Sequence, residues 1–404
     1  MRKKIHIPAI WCLLGPGLLA ALADNDAGGI ISYTVTGTKF GAGIFIPLTL
    51  ALVFITYTVQ EMAMRLGVVT GEGYTHLIRK HYGRGWMIFQ IITLLAENLI
   101  TLVTEFIGMG AGLAMIGVPH TAAVLISVAM VLSIAVFSGY STKERIGLAI
   151  GLMNFVFLVI ACFTTPNIGF FESFSLAGER DFIWYVVALV GNAIAPWMIF
   201  YQSSAYVDKG VKAKYIKNGR TDTIIGCVCQ VAVAAVLIFI GSSLFGAGDF
   251  SNAGPMEMIL ALQARFGAGI GYLFALGLFN AGLLAAITVS LSSSWAAAEA
   301  FGWSKSLNDK IAEAPGFYAI YFVSIMLAAG AVLIPELPLN QIAVFAQVAG
   351  GILMMPILLF LTLLTSNKGL MGDYANRGQQ KVRSWISVGI LITVSLITAL
   401  TILF

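Results

Sequence analysis

The run Leu18–Tyr33, LLAALADNDAGGIISY, sets two carboxylates, an amide and two glycines in a stretch otherwise fit for lipid. A charge at the centre of a bilayer costs at least about 2.5–3.5 kcal/mol, so Asp24 and Asp26 demand a chemical reason. Carboxylate, amide and carbonyl oxygens are hard ligands, suited to magnesium, calcium or manganese. Where a membrane helix is interrupted, backbone carbonyls lose their intrahelical partners and can bind a cation. Asp26 offers a full negative charge, and Asn25, Asp24 and the Ala23 carbonyl add oxygens. In regular helix the side chains at 24, 25 and 26 cannot all face one point. The direct inference is a site for a small cation; an anionic substrate would be repelled. A second interruption stands at GNAIAPWM, 191–198, where Pro196 removes a backbone donor and clashes with the preceding turn. There the Ala195 carbonyl is a candidate ligand.

The elements that must position these residues are membrane helices. The chain is 59% hydrophobic and 10% charged, with a mean hydropathy of +0.91, far from the roughly 25% charge of soluble domains. Apolar runs of about 20 residues recur, giving eleven expected spans: 8–34, 43–66, 86–117, 121–139, 146–165, 182–206, 223–245, 267–298, 316–334, 339–365 and 383–404. No soluble domain fits between them, and the net charge of +4 says nothing of nucleic acid. With the N-terminus in the cytoplasm, 20 of the 23 Lys and Arg fall on the inner side, as basic loop residues should, and the C-terminus ends outside. The basic segment VDKGVKAKYIKNGRTD, 207–222, is expected on the inner membrane surface near anionic lipid heads. The start, MRKKIHIPAIWCLL, reads as a retained first span rather than a cleaved signal.

The two interruptions lie in spans one and six. Paired breaks at corresponding positions of two halves point to a transporter built of repeats, with cargo bound at the break. Five spans per half is odd, so the second half is inverted. A blander reading ends span one at Ala23 and makes 24–42 an outer loop. The helix from Pro8 to Ala23 would then reach only about 24 Å across a ~30 Å core.

GPGLLAALADNDAGG, 15–29, resembles the first span of the Nramp divalent-metal transporters, which carries Gly-Pro-Gly and then Asp-Pro-Gly-Asn. Asp26 falls on the family's metal-binding aspartate, Ala27 on its proline, Gly28 on its glycine and Gly29 on its asparagine. GNAIAPWMIFYQSS resembles the Met-Pro-His segment: Ala195 falls on the metal-binding methionine, Pro196 on the proline and Trp197 on the histidine, with Gln202 where a second histidine lies. The resemblance implies an all-α, leucine-transporter-like fold of two inverted five-helix repeats in one domain, 1–404. Repeat one covers about 8–165, repeat two about 182–365, and helix 383–404 is extra. Helices one and six are discontinuous, with Gly28, Gly29 and Pro196 shaping the breaks. The metal is cargo, and no cofactor is expected.

The departures define the expected cargo. A methionine thioether favours transition metals, and Ala195 lacks it. Magnesium keeps several waters and binds through one or two carboxylates, which suits one sure carboxylate flanked by small residues. This pattern looks like the Nramp-related magnesium transporters, with manganese also passing. None of His6, His76, His81 and His120 is mid-membrane, and Leu102 falls where the family has an aspartate upstream of the glutamate matched by Glu105. The expectation is therefore potential-driven uptake through a bacterial plasma membrane without proton coupling. Glu105, Asn98 and Thr101 share a helix face, as a wall of the ion path or as an interhelical hydrogen-bond network. Trp197 and Gln202 also border that path, and Gln347 resembles a polar position near the ion in closed states. Glu97 reads as structural, and Glu61 and Glu299 as solvated at inner ends. The serines of TVSLSSSW read as helix-packing glue, and Cys12, Cys162, Cys227 and Cys229 as buried thiols.

Three alternatives compete. One is a proton-coupled manganese or iron transporter of the ordinary Nramp type, and another a sodium-coupled amino-acid transporter. In the latter, Asp24 and Asp26 would oppose a substrate carboxylate. The third, a non-transporting receptor or scaffold, lacks any sizeable soluble segment. No triad of His, Cys or Ser supports an enzyme, and the expected partners are divalent ions and lipid, with no obligatory protein partner.

Overall fold

The computed structural model describes residues 14–137, 139–178, 181–334 and 339–403, with side chains at 136, 177, 339–349, 351–352 and 398–403 excluded. Among them every regular element is helical. The helices are α1 Pro16–Asp24, α2 Ala27–Phe40, α3 Phe45–Ala51, α4 Val53–Thr70, α5 Tyr74–Tyr82, α6 Arg84–Ala114, α7 His120–Val136, α8 Tyr140–Leu152 and α9 Val156–Ala161. There follow α10 Phe182–Asn192, α11 Pro196–Asp208, α12 Ile216–Ser242, α13 Pro255–Phe266, α14 Ala268–Phe301, α15 Pro315–Val332, α16 Leu339–Ser366, α17 Lys368–Met371 and α18 Gln379–Leu403.

Eight stretches of described helix are long and apolar enough to cross a membrane, or nine if the 62° bent pair Leu353–Ser366 and Lys368–Tyr374 is one span. Of the other expected spans, the described part of 8–34 is divided between α1 and α2, and 121–139 corresponds to the 17-residue α7. Two helices begin earlier than hydropathy suggested. Helix α8 starts at Tyr140 and takes in Lys143, which is buried with its ammonium on the Tyr318 hydroxyl at 2.8 Å. Helix α12 starts at Ile216, so Lys217 and Arg220 stand on it and no long surface segment separates it from α11. Long basic side chains can join a helix end while their charged heads find partners.

The first span is interrupted where expected. Pro16 opens α1, its missing N–H being one of the donors a helix start leaves free anyway. The chain leaves helical geometry at Asn25, and Asp26 is the N-cap of α2, accepting from the Gly29 amide at 2.6 Å. Residues 27–40 are helical, so the outer-loop reading of 24–42 is overturned: cap and apolar run together restart the helix. The sixth span stops at Asn192 and resumes at Pro196.

Helix α12 lies along both halves of the first span. A β-carbon on Gly37 would stand 2.1 Å from the Ile238 carbonyl, and one on Gly241 1.9 Å from that of Thr34, so α2 and α12 cross backbone to backbone. At the other end a β-carbon on Gly226 would stand 2.8 Å from the Gly17 carbonyl. Helix α14, buried along most of its length, packs against α6.

Candidate metal-ion site

Both breaks are stitched to one side chain of α12. The Gln230 amide nitrogen donates to the Asp24 carboxylate and, at 2.9 Å, to the Ala193 carbonyl. Its backbone carbonyl accepts from the Asn25 amide at 3.2 Å, and its side-chain oxygen from Gln60 at 3.4 Å. Residues 24–25 of the first break and 193 of the second are thereby joined through a residue that the sequence reading did not single out. The Asp24 carboxylate is spent on Gln230, whereas that of Asp26 accepts from the Gly29 amide of its own cap.

Around Asp26 the remaining polar groups arrange themselves by helix-end chemistry. Glu105, fully buried on α6, accepts from the Ala27 amide at 3.0 Å and from the Thr104 hydroxyl at 3.1 Å. It thus satisfies a first-turn donor of α2 that the helix itself cannot. Asn154 donates to the Leu22 carbonyl at 3.1 Å and is itself fixed by Asn280 at 2.6 Å. Of the four carbonyls that end α1 without intrahelical acceptor duty, those of Ala23 and Asp24 come last, beside the cap. The Ala195 carbonyl already accepts from the Met198 amide at 3.2 Å, leaving one lone pair.

The other expected residues are separated by partner. Asn98 donates to Ser293 at 2.8 Å, and Thr101 to Glu97 at 3.2 Å, so these two do not bond Glu105 although all three share a face of α6. Trp197 is fully buried, and its carbonyl accepts from Ser292 at 2.9 Å. Gln202 donates to Thr223 at 3.1 Å. Gly29 lies under the Asp26 carboxylate, Gly28 is in the first turn of α2, and Pro196 opens α11. The side chain of Gln347 lies outside the described residues.

Two expectations are corrected. Glu61 and Glu299 are buried rather than solvated, because each has found a cation: Glu61 lies 3.0 Å from Arg65 and 2.9 Å from Arg220, and Glu299 3.1 Å from Lys305. Cys162 is exposed rather than buried; Cys227 is buried and Cys229 partly so, while Cys12 lies outside the described residues.

Beside the breaks, Asn25 Oδ1 and Asn192 Oδ1 are buried acceptors that no protein donor reaches, and Trp197 Nε1 is a buried donor without an acceptor. Such a group left without a partner costs about 1–3 kcal/mol. Among the described residues no three His, Cys, Asp or Glu converge as a metal cage. An ion here would meet Asp26, an amide oxygen, carbonyls and water rather than a dense ligand shell.

A profile of the Nramp family, natural resistance-associated macrophage protein-like, matches residues 17–401. The chain belongs to the Nramp family. It is 26% identical over 413 residues to the divalent metal cation transporter MntH of Levilactobacillus brevis, covering 95% of this chain and 87% of the relative. The MntH of Staphylococcus aureus is 26% identical over 410 residues, covering 94% and 88%. In fold, this Nramp protein is similar to the Eremococcus coleocola manganese transporter solved with an aromatic bis-isothiourea compound: TM-score 0.81, 19% identity, 98% and 89% covered. A wider likeness reaches MhsT in complex with L-phenylalanine, at TM-score 0.57 and 14% identity, covering 95% and 97%. That likeness extends the fold to leucine-transporter-like proteins. The relatives are named as transporters rather than enzymes, and the Nramp chain is an integral membrane protein.

Proposed function

We propose that this Nramp protein carries divalent metal ions across the membrane by alternating access around Asp26. The observation that carries the reading is the meeting of two helix breaks, joined through Gln230, beside one capped carboxylate and the unpartnered Asn25 Oδ1. Asp26 is the principal ligand, with Asn25 Oδ1 and the carbonyls of Ala23 and Ala195 beside it. Asp24 and Gln347 are weaker members of the set, and Glu105, Asn98, Thr101, Trp197 and Gln202 line the path. We assign the chain a single domain, 1–404, of eleven spans in two inverted repeats, about 8–165 and 182–365, with 383–404 added. The basic residues favour an N-terminus in the cytoplasm and a C-terminus outside, in a bacterial plasma membrane.

Manganese is the cargo that the relatives' names favour. The donor set supports hard ions more broadly, magnesium included, since Ala195 supplies no sulfur and the oxygens suit an ion that keeps part of its water. For the energy source two readings stand. The ordinary Nramp reading, proton-coupled manganese or iron transport, has the support of the relatives. Uncoupled uptake has the support of Leu102, which leaves α6 one carboxylate short, and of His76 and His81 on the short helix α5 and His120 at the start of α7, none of them mid-span.

One experiment separates them. Proteoliposomes are loaded with a magnesium- or manganese-sensitive dye and, separately, a pH dye. Uptake of either ion that disappears in Asp26→Ala is the expected result, and normal flux in that variant refutes the site. Strong competition by cadmium together with internal acidification would favour the ordinary reading. Weak competition and steady internal pH would favour the oxygen-only, uncoupled one.

A further inference from the structure

We infer that Asp222 is a positioning residue of the transport cycle, which clasps the free amides of α1 and holds that half-helix over the cytoplasmic exit. This deepens the transport reading and rests on its orientation. One carboxylate reaches every first-turn donor of α1: the Gly15 amide at 2.7 Å, Gly17 at 2.8 Å and Leu18 at 3.3 Å, with Pro16 having no N–H to offer. A helix usually carries its own cap as a Ser, Thr, Asp or Asn side chain at the N-cap. Here the N-cap is Gly15, and the cap is supplied from 207 residues away on α12. A self-capped helix keeps its cap wherever it moves, whereas α1 is capped only while docked. The negative charge also sits at the positive end of the helix dipole, which adds to the docked state alone.

Neighbouring groups complete the clasp. The Tyr206 hydroxyl of α11 donates to Asp222 at 2.6 Å. Lys209 donates to the Leu14 carbonyl at 3.4 Å and pairs with Glu144 of α8 at 2.9 Å. Gly17 is required because its β-carbon would stand 2.9 Å from the Asp222 carboxylate. Further along α1, Leu19 lines a small pocket of about 20 Å³, room for about one water, with Tyr140, Glu144, Tyr201, Thr288 and Leu291. Above that pocket, Leu22 packs on α8 and α14, where a β-carbon on Gly151 would stand 2.9 Å from Leu22 and 3.1 Å from Leu284. Helix α1 thus runs from the Asp222 clasp past this pocket to the break at Asn25–Asp26, and releasing its N-terminus would withdraw Leu19 and open the pocket to water.

The test reads that opening directly. In the full chain with its four native cysteines replaced by serine, Thr288→Cys places one thiol in this pocket, at a position buried while α1 is docked. Its rate of modification by a membrane-impermeant maleimide is measured in inside-out vesicles without added metal. Asp222→Ala, which removes every bond of the clasp, is expected to raise the rate at least about tenfold, the weight of even one lost charge-assisted hydrogen bond. Tyr206→Phe, which keeps the carboxylate, should raise it less. A monodisperse Asp222→Ala protein that labels at the parent rate overturns the inference. If that variant does not fold, Tyr206→Phe and Lys209→Met decide: faster labelling supports the clasp, and parent rates in both overturn it. The readout involves no cargo, so faster labelling in a protein that moves no metal would sink the transport reading and leave the clasp standing.

Discussion

Ala195 stands at the residue whose side chain bears most on cargo choice, because a sulfur there would alter the ligand set without altering the break. Ala195→Met should let cadmium compete about tenfold better against manganese uptake, the effect of ~1.4 kcal/mol from one soft donor; unchanged competition in a folded variant would place residue 195 away from the ion. At this scale the sequence spoke through incongruity. Asp26, Asn25 and Pro196 were legible because each is costly in an apolar run. Gln230 and Asn154 were not, since an amide in a membrane helix announces no partner and theirs lie 206 and 132 residues away. Glu61 and Glu299 were misread for another reason: nearness to a helix end suggested water, although Arg65 and Lys305 lie close by in the sequence and only Arg220 is brought by the fold.

Among the elements, the crossing of α2 and α12 is the least forgiving. With the Thr34 carbonyl 1.9 Å from where a β-carbon on Gly241 would sit, Gly241→Val should destabilise the protein by at least about 1–3 kcal/mol, the usual cost of overpacking. A melting temperature in detergent no lower than that of the parent would contradict this close approach. The interruptions themselves were readable, since a capping aspartate and a proline each act locally. Helix starts were less so: the run of lysines before Ile216 looked like a surface segment, yet Lys217 and Arg220 ride on α12 because Arg220 reaches Glu61. The 17 residues of α7 fall at the edge of what length alone identifies as a span.

For the whole molecule, the membrane potential is the largest available driving force. A divalent ion gains about 4.6 kcal/mol per 100 mV of inside-negative potential, on the order of a thousandfold accumulation. Vesicles given a potassium diffusion potential should accumulate manganese or magnesium with no pH gradient, and collapse of the potential with valinomycin in equal potassium should remove the accumulation. Uptake that instead follows an imposed proton gradient at zero potential would favour the coupled reading. The general architecture was legible from hydropathy and the paired breaks, and the likeness to solved transporters, at TM-score 0.81, extends along 98% of the chain. The uneven seam that α12 makes with the first span has a last consequence. At its α2 end the backbones interlock most tightly, with β-carbons on Gly37 and Gly241 falling 2.1 and 1.9 Å from carbonyls. At its α1 end the approach is looser, 2.8 Å at Gly226, and the Asp222 contacts that water can replace complete the fastening. Hydrogen–deuterium exchange in the native state should therefore be lopsided, with amides of residues 18–22 exchanging about tenfold faster than those of 34–38. A uniform rate across both would mean that the two halves breathe as one rod.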